Sequence, residues 1–122
     1  MVQNMVREFA QKEVAPIIKE CDRQQQMAEF VLPRMGELGI LGICLPVKYG
    51  GQGMDYIALG LACEELEAVD TSLRVVMSVH VGLNSMALFQ WATERQKQRF
   101  LTPQAQGKKI ACFGLTEPGA GS

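Results

Sequence analysis

The closing residues TEPGAGS, positions 116–122, combine two glycines, a proline and two hydroxyl side chains. Gly119 and Gly121 permit positive φ and let a ligand approach the backbone closely. Pro118 stiffens the loop, and Thr116 and Ser122 offer hydroxyl donors. Consecutive exposed amides in such a loop cradle anions such as phosphate. No Gly-Lys-Ser/Thr follows, so this is not a P-loop, and the spacing is not the Gly-x-Gly-x-x-Gly of dinucleotide binding. Composition alone favours an ordinary turn and leaves a phosphate cradle open.

A second group worth weighing lies in the apolar stretch SLRVVMSVHVGLNSMALFQWA. Arg74 is its only fixed cation. Its plain role is a stem on the core with the head in water, but a guanidinium also binds a carboxylate through two parallel bonds. His80 is the only histidine of the chain. A metal site needs several convergent ligands, so a buried or substrate-adjacent imidazole is expected, with no metal. Glu64, Glu65 and Glu67 lack neighbouring bases in sequence and are expected to form a solvated face. Cys21, Cys44, Cys63 and Cys112 are widely spaced, without a Cys-x-x-Cys pair, which excludes a zinc ribbon or redox motif. They are expected to be reduced core thiols in a reducing compartment, the cytoplasm or, in a eukaryote, the mitochondrial matrix.

The 12 basic and 13 acidic residues leave a net charge of -1, with no electrostatic footprint for nucleic acid or an anionic membrane. The start, MVQNMVREFAQKEVAP, lacks the apolar run of a signal peptide and the acid-poor bias of a transit peptide. Arg74, His80, Asn84 and Gln90 make a bilayer span of the apolar stretch expensive, so it is expected to be a helix buried in protein. At 48% hydrophobic and 20% charged, the 122 residues have the balance of one globular domain.

The elements that position these groups are mostly helical. Apolar residues from Val2 to Cys21 recur at helical spacing, with Pro16 expected to kink that helix. A short helix fits VLPRMGEL, stopped by Gly39. Ile40, Leu41, Ile43 and Leu45 form a buried run, and KYGGQGMD must be a loop. Asp55 caps a helix over YIALGLACEELEAV, with Ile57, Leu61 and the 63–66 region expected toward the core. Asp70, Thr71 and Ser72 supply the next cap. A long helix, or two broken near residues 82–85, then runs to Trp91. Thr93 to Gln96 fits a capping box, and the helix it starts yields near Pro103 and Gly107. Residues 110–116 change to strand chemistry. A lone strand cannot satisfy its own backbone groups, so it is expected to open a second domain. The expected architecture is all-α and bundle-like over residues 1–108, with residues 109–122 as the first strand and loop of a truncated β domain.

The order of residues in CFGLTEPGAGS closely resembles a signature of the FAD-dependent acyl-CoA dehydrogenases. The blocks VREFAQKEVAP, MGELGILGICLPVKYGGQGMDY, EELEAVD, SVH and ERQKQRFL resemble that family's amino-terminal helical domain in order and approximate spacing. The resemblance implies an enzyme that dehydrogenates acyl-CoA thioesters to enoyl-CoA, with this chain as an inactive fragment of it. It implies FAD contacts at Phe113, Gly114, Leu115, Thr116, Gly121 and Ser122, with Ser122 also near the CoA part of the substrate. The family's catalytic base lies in its carboxy-terminal domain, so none is expected here, and Glu117 beside Pro118 suits a structural hydrogen bond. The family usually passes electrons to an electron-transfer flavoprotein and forms homodimers or tetramers. VDTSLRVVMSV also resembles the glutaryl-CoA dehydrogenase branch, which would place Arg74 and Ser78 on a substrate carboxylate, although Val75 departs from that branch's serine. The alternative from another class is a non-enzymatic helical interaction module.

Overall fold

The computed structural model describes residues 1–121, and Ser122 lies outside them. The described residues are helical, as the periodicity predicts. Helix α1 (Val2–Phe9) continues through a π-helical turn over Ala10–Val14 and resumes as α2 (Ile18–Gln24). Helix α3 (Val31–Glu37) ends at Gly39, whose φ of 73° gives the left-handed stop. Helix α4 (Tyr56–Glu67) follows the glycine-rich loop. Helices α5 (Thr71–Val76) and α6 (Met86–Trp91), joined by a π-helical stretch over Met77–Ser85, make one helix of 21 residues. Of the two expected readings the single long helix is the one observed, and residues 82–85 lie within its π-helical stretch. Helix α7 (Glu94–Gln96) runs through a π turn, Lys97–Leu101, into α8 (Thr102–Ala105).

Local chemistry explains where these helices begin. The Ala58 amide donates to the Asp55 carboxylate at 2.9 Å, and the Ser72 amide donates to that of Asp70. Thr93 and Gln96 form a reciprocal capping box. Each cap satisfies amides that the first helical turn leaves without partners.

Prolines explain the two π turns that precede them. Ala15, just before Pro16, donates its amide five residues back to Ala10 at 2.8 Å. Thr102, just before Pro103, donates five residues back to Lys97. A proline has no amide and its ring crowds the carbonyl four residues earlier. The wider turn accommodates that ring. Pro16 breaks the run between α1 and α2, whereas Pro103 is carried inside the continuous helical run from Glu94 to Ala105.

The core gathers on the inner faces of α1, α3, α4 and the long helix. It contains Val6, Phe9, Met35, Ile40, Leu41, Leu66, Leu73, Met77 and Val81, all buried. A second cluster holds Leu45, Tyr49, Leu101 and Ala105 under α6. The face of α4 differs from expectation. Ala58, Ala62, Glu65 and Leu66 point inward, while Ile57 is 71% exposed. The run YIALGL is apolar on every side, so its periodicity does not select a face. Small Ala58 and Ala62 let α1 and α4 approach, and this is the main helix pairing of the fold.

Glu65 corrects the expected solvated face. It is buried and accepts Arg7 Nη2 at 2.6 Å, Arg7 Nε at 2.8 Å and Gln3 Nε2 at 2.8 Å. The Arg7 hydrogen bonds hold its carboxyl below the ordinary carboxylate range against the opposing effect of burial. This two-pronged contact fixes α1 on α4. The long helix likewise differs from a fully buried one. Leu73, Met77, His80, Val81 and Ser85 pack inward, but Val75, Leu83 and Trp91 are exposed. By length and composition alone it could cross a membrane.

The loop over residues 46–54 folds back on the Ile40–Leu45 run. Gln52, Gly53 and Met54 donate their amides to Gly42, Leu45 and Ile43 at 2.8–3.0 Å. A Cβ at Gly51 would sit 2.2 Å from the Leu45 carbonyl oxygen, closer than any real contact. Gly51→Ala is expected to destabilise the fold by about 1–3 kcal/mol, the usual cost of forced overpacking. Chemical denaturation measures this directly; an unchanged midpoint would contradict the close approach.

Candidate functional site

Gly107 ends α8 with φ of 69° and lies against Gly36, where a Cβ on either residue would meet the other's Cα at under 3 Å. Lys108 and Lys109 donate their amides to the Pro103 carbonyl at 2.9 and 3.2 Å. The chain then leaves the helical body. Residues 110–115, expected as a strand, run without regular secondary structure. A strand exists only by pairing its backbone, and the described residues offer it no partner.

One contact still ties this tail to the body. The Ala111 amide donates to His80 Nδ1 at 3.0 Å. A backbone amide can only donate, so Nδ1 is the acceptor and the ring proton sits on Nε2. Nε2 then donates to the Gln104 carbonyl at 3.1 Å. The Gln104 side chain continues the network, accepting Ser85 Oγ at 3.0 Å and donating to Asn84 Oδ1 at 3.1 Å. His80 and Ser85 are fully buried. Sequence reasoning found a buried imidazole but missed what it holds. The signal was available in part: His80 and Asn84 are polar and four residues apart, a spacing that puts them on one helix face.

Beyond Ala111, residues 112–121 are exposed. Phe113 and Leu115 are 57% and 72% exposed, and Gly114 and Thr116 lie between and beside them. Glu117 and Ala120 exchange backbone hydrogen bonds at 2.8 and 3.1 Å, closing a tight turn around Pro118 and Gly119. These bonds are the backbone's; among the described residues no hydrogen bond of the Glu117 side chain fulfils the expected structural role. Gly119 and Gly121 do not use the left-handed region; the positive-φ glycines are Gly39, Gly50, Gly53 and Gly107. Gly121 matters by closeness instead, since a Cβ there would lie 2.9 Å from Thr116 Cγ2. The expected site residue Ser122 falls outside the described residues.

Arg74 and Ser78 are one turn apart on α5 and its extension, but neither is free. Arg74 Nε donates to Glu67 Oε2 at 2.8 Å, and Thr71 Oγ1 donates to the same carboxylate's other oxygen. The Arg74 hydrogen bond holds the Glu67 carboxyl below its ordinary range. Ser78 Oγ donates back to the Arg74 carbonyl at 3.2 Å. No hydrogen bond joins this pair to the tail among the described residues.

Tyr49 and Glu94 make a further polar contact. The buried Tyr49 hydroxyl donates to Glu94 Oε2 at 2.8 Å and lowers that carboxyl. All four cysteines are unpaired. Burial raises Cys44 and Cys63, which keeps both thiols protonated, while Cys112 is exposed on the tail and not in the core as expected. Among the described residues, no cluster of three or more His, Cys, Asp or Glu side chains could hold a metal.

Burial pushes His80 below its ordinary value of 6.5, with the Gln104 carbonyl acting in the opposite direction. The folded chain therefore binds this proton less readily than the unfolded chain does. Its contribution is complete above the unfolded value and is lost as pH falls through the folded one. The melting temperature is expected to decline as pH drops below about 6.5, where an unfolded imidazole takes up its proton. Glu65, Glu67 and Glu94 are lowered, so their losses come at more acid pH. His80→Phe should flatten the profile just below about pH 6.5, since the chain has no other histidine. A slope that survives the substitution would contradict the assignment.

Comparison with known proteins places this geometry in a family. Residues 1–108 match the family model described as the acyl-CoA dehydrogenase, N-terminal domain. The chain is similar over its whole length to a short-chain specific acyl-CoA dehydrogenase of Clostridium acetobutylicum, at 41% identity over 122 residues. It covers 32% of that relative, so it spans about a third of the length of the curated proteins it matches. Butyryl-CoA dehydrogenase from Megasphaera elsdenii superimposes with a TM-score of 0.92 at 35% identity, over 98% of this chain and 32% of the other. A structure described under the electron transferring flavoprotein of Acidaminococcus fermentans gives 0.94 at 41% identity, over 99% and 32%. The chain thus belongs to the acyl-CoA dehydrogenase family and carries that family's amino-terminal domain over residues 1–108.

Proposed function

We propose that this chain forms the helical and flavin-facing part of an FAD-dependent acyl-CoA dehydrogenase acting on short-chain acyl-CoA thioesters. Residues 109–122 are the leading strand and flavin-binding loop of a following β domain. The observation that carries this reading is the CFGLTEPGAGS tail, held at Ala111 and exposed beyond it. Between Ala111 and the Glu117–Ala120 turn, no backbone amide or carbonyl of the tail has an intrachain partner among the described residues. Such groups suit the polar edge of an isoalloxazine ring, with Phe113, Gly114, Leu115 and Thr116 along it and Gly121 and Ser122 at the phosphates.

FAD, when bound, supplies the redox chemistry by accepting a hydride from the thioester's β carbon. This chain's residues orient and enclose. The tail offers backbone donors and acceptors, its closing turn sets where the phosphate-facing residues lie, and Ser122 also faces the CoA part of the substrate. The base that removes the α proton comes from outside residues 1–122. Electrons leave to an electron-transfer flavoprotein, a reading supported by the Acidaminococcus fermentans similarity. The working form is a homo-oligomer in the cytoplasm, or in the mitochondrial matrix of a eukaryote.

A simple acyl substrate is preferred over glutaryl-CoA for a local reason. The Arg74 head is already engaged by Glu67, and Ser78 bonds its own helix. A substrate carboxylate would have to displace an existing ion pair. The short-chain and butyryl names of two of the similar proteins agree with this, although glutaryl-CoA dehydrogenases of Mycobacterium smegmatis are similar too, at 35–38% identity.

The test uses the full-length protein that contains this chain. It should take up FAD and reduce a dye with butyryl-CoA, while residues 1–122 alone should do neither. Arg74→Ala in the full-length protein should change kcat/KM for butyryl-CoA less than about threefold, well short of losing a charged hydrogen bond worth about 1.5–3 kcal/mol. A glutaryl-CoA preference that collapses in Arg74→Ala would reverse the substrate assignment.

A further inference from the structure

We propose that His80 is the positioning residue that sets the register of the flavin-facing tail, acting through the Ala111 amide. The proposal rests on the flavin reading of residues 113–122. His80 itself touches neither flavin nor substrate in this account.

The argument begins with the position of the contact. Ala111 is partly buried, and every described residue after it is exposed. Among the described residues, the bond from Ala111 to His80 Nδ1 is the last that joins tail to helices. Phe113 lies two residues further on, about 7 Å along an extended chain. Without the bond, the last anchor retreats to Lys109, whose amide meets the Pro103 carbonyl. The free segment then begins two residues earlier, with about 7 Å of added reach.

The imidazole is suited to this task because its other nitrogen is fixed. Nε2 donates to the Gln104 carbonyl, so Nδ1 must stay a lone-pair acceptor aimed at Ala111. The ring is fully buried, and the Gln104 whose carbonyl it bonds is itself held to the long helix by Ser85 and Asn84. A rigid acceptor on a rigid helix places a backbone group more accurately than a loop could. The network thus joins the long helix, α8 and the tail through one side chain.

Two substitutions separate this role from simple core filling. His80→Asn keeps an acceptor near the Nδ1 position and loses the reach to Gln104. His80→Gln keeps a donor near the Nε2 position and loses the acceptor for Ala111. Asn leaves the larger void, so a purely packing role predicts that Asn is the worse variant in every measurement. The positioning role predicts a split. Asn should melt lower, yet Gln should release the tail.

Hydrogen exchange at the Ala111 amide reads the contact directly in the full-length protein. His80→Gln should exchange about five- to tenfold faster than wild type, the factor one ordinary hydrogen bond is worth. The FAD dissociation constant of the same variant should rise by a similar factor, with His80→Asn much nearer to wild type. Ala111→Pro removes the donor from the exposed side without emptying the core. It should weaken FAD binding too, and it serves if either histidine variant fails to fold. Unchanged exchange in His80→Gln, or wild-type FAD affinity in Ala111→Pro, would overturn the positioning role. So would equal loss of FAD in the Asn and Gln variants. A wild-type full-length protein that binds no FAD, with the exchange difference intact, would instead sink the flavin reading on which the role rests.

Discussion

A buried imidazole must satisfy both of its ring nitrogens or lose the free energy of an unpaired polar group. In this protein that constraint falls on His80, and its two partners belong to different elements. One is the Gln104 carbonyl at the end of the terminal helix, and the other is the Ala111 amide at the root of the tail. The long helix therefore cannot be packed correctly unless α8 and the tail also arrive. No neighbouring ion pair offsets the desolvation of the ring. Neutrality of the ring is built into the arrangement, because a proton on Nδ1 would face the Ala111 amide with no lone pair.

Around this node the fold solves a second problem, how to turn long helices without losing backbone hydrogen bonds. Pro16 and Pro103 each follow a π turn in which the preceding residue donates five positions back. The paired glycines 36 and 107 let the end of α8 rest directly on α3. That contact brings residues 104–109 to the position from which His80 can reach both Gln104 and Ala111. On the opposite side, Arg7 and Gln3 converge on buried Glu65 and fix α1 against α4. Two buried polar anchors thus hold the two ends of the helical body, with the apolar core between them.

Membership in the acyl-CoA dehydrogenase family gives these anchors a purpose. In the function proposed above, the helical body serves as a rigid base and the exposed tail as the segment that meets the flavin. The tail has no regular structure among the described residues, yet its start is tied down and its end is closed by the Glu117–Ala120 turn. The apolar residues Phe113 and Leu115 are exposed in this arrangement. A surface of that kind is costly to leave in water and is consistent with a segment meant to be covered.

Much of the local structure was legible from the amino-acid order alone. Asp55, Asp70 and Thr93 cap helices because a short oxygen-bearing side chain reaches amides two or three residues on. Gly39 and Gly107 stop helices because they adopt left-handed backbone at no steric cost. These are interactions within one turn, so sequence suffices. The family signature was equally visible, since it is a matter of residue order. Other features needed the assembled molecule. Ile57 faces out and Ala58 faces in because α1 chose the side of α4, and the all-apolar YIALGL run does not encode that choice. Glu65 is buried because Arg7, 58 residues away, is there to meet it. The tail gained no strand because pairing is supplied by other chain segments, never by propensity. Sequence determined where helices start and stop and which family they belong to. Only tertiary structure decided which face is buried and which charge is paired, and what His80 holds, because each depends on a partner distant in the chain.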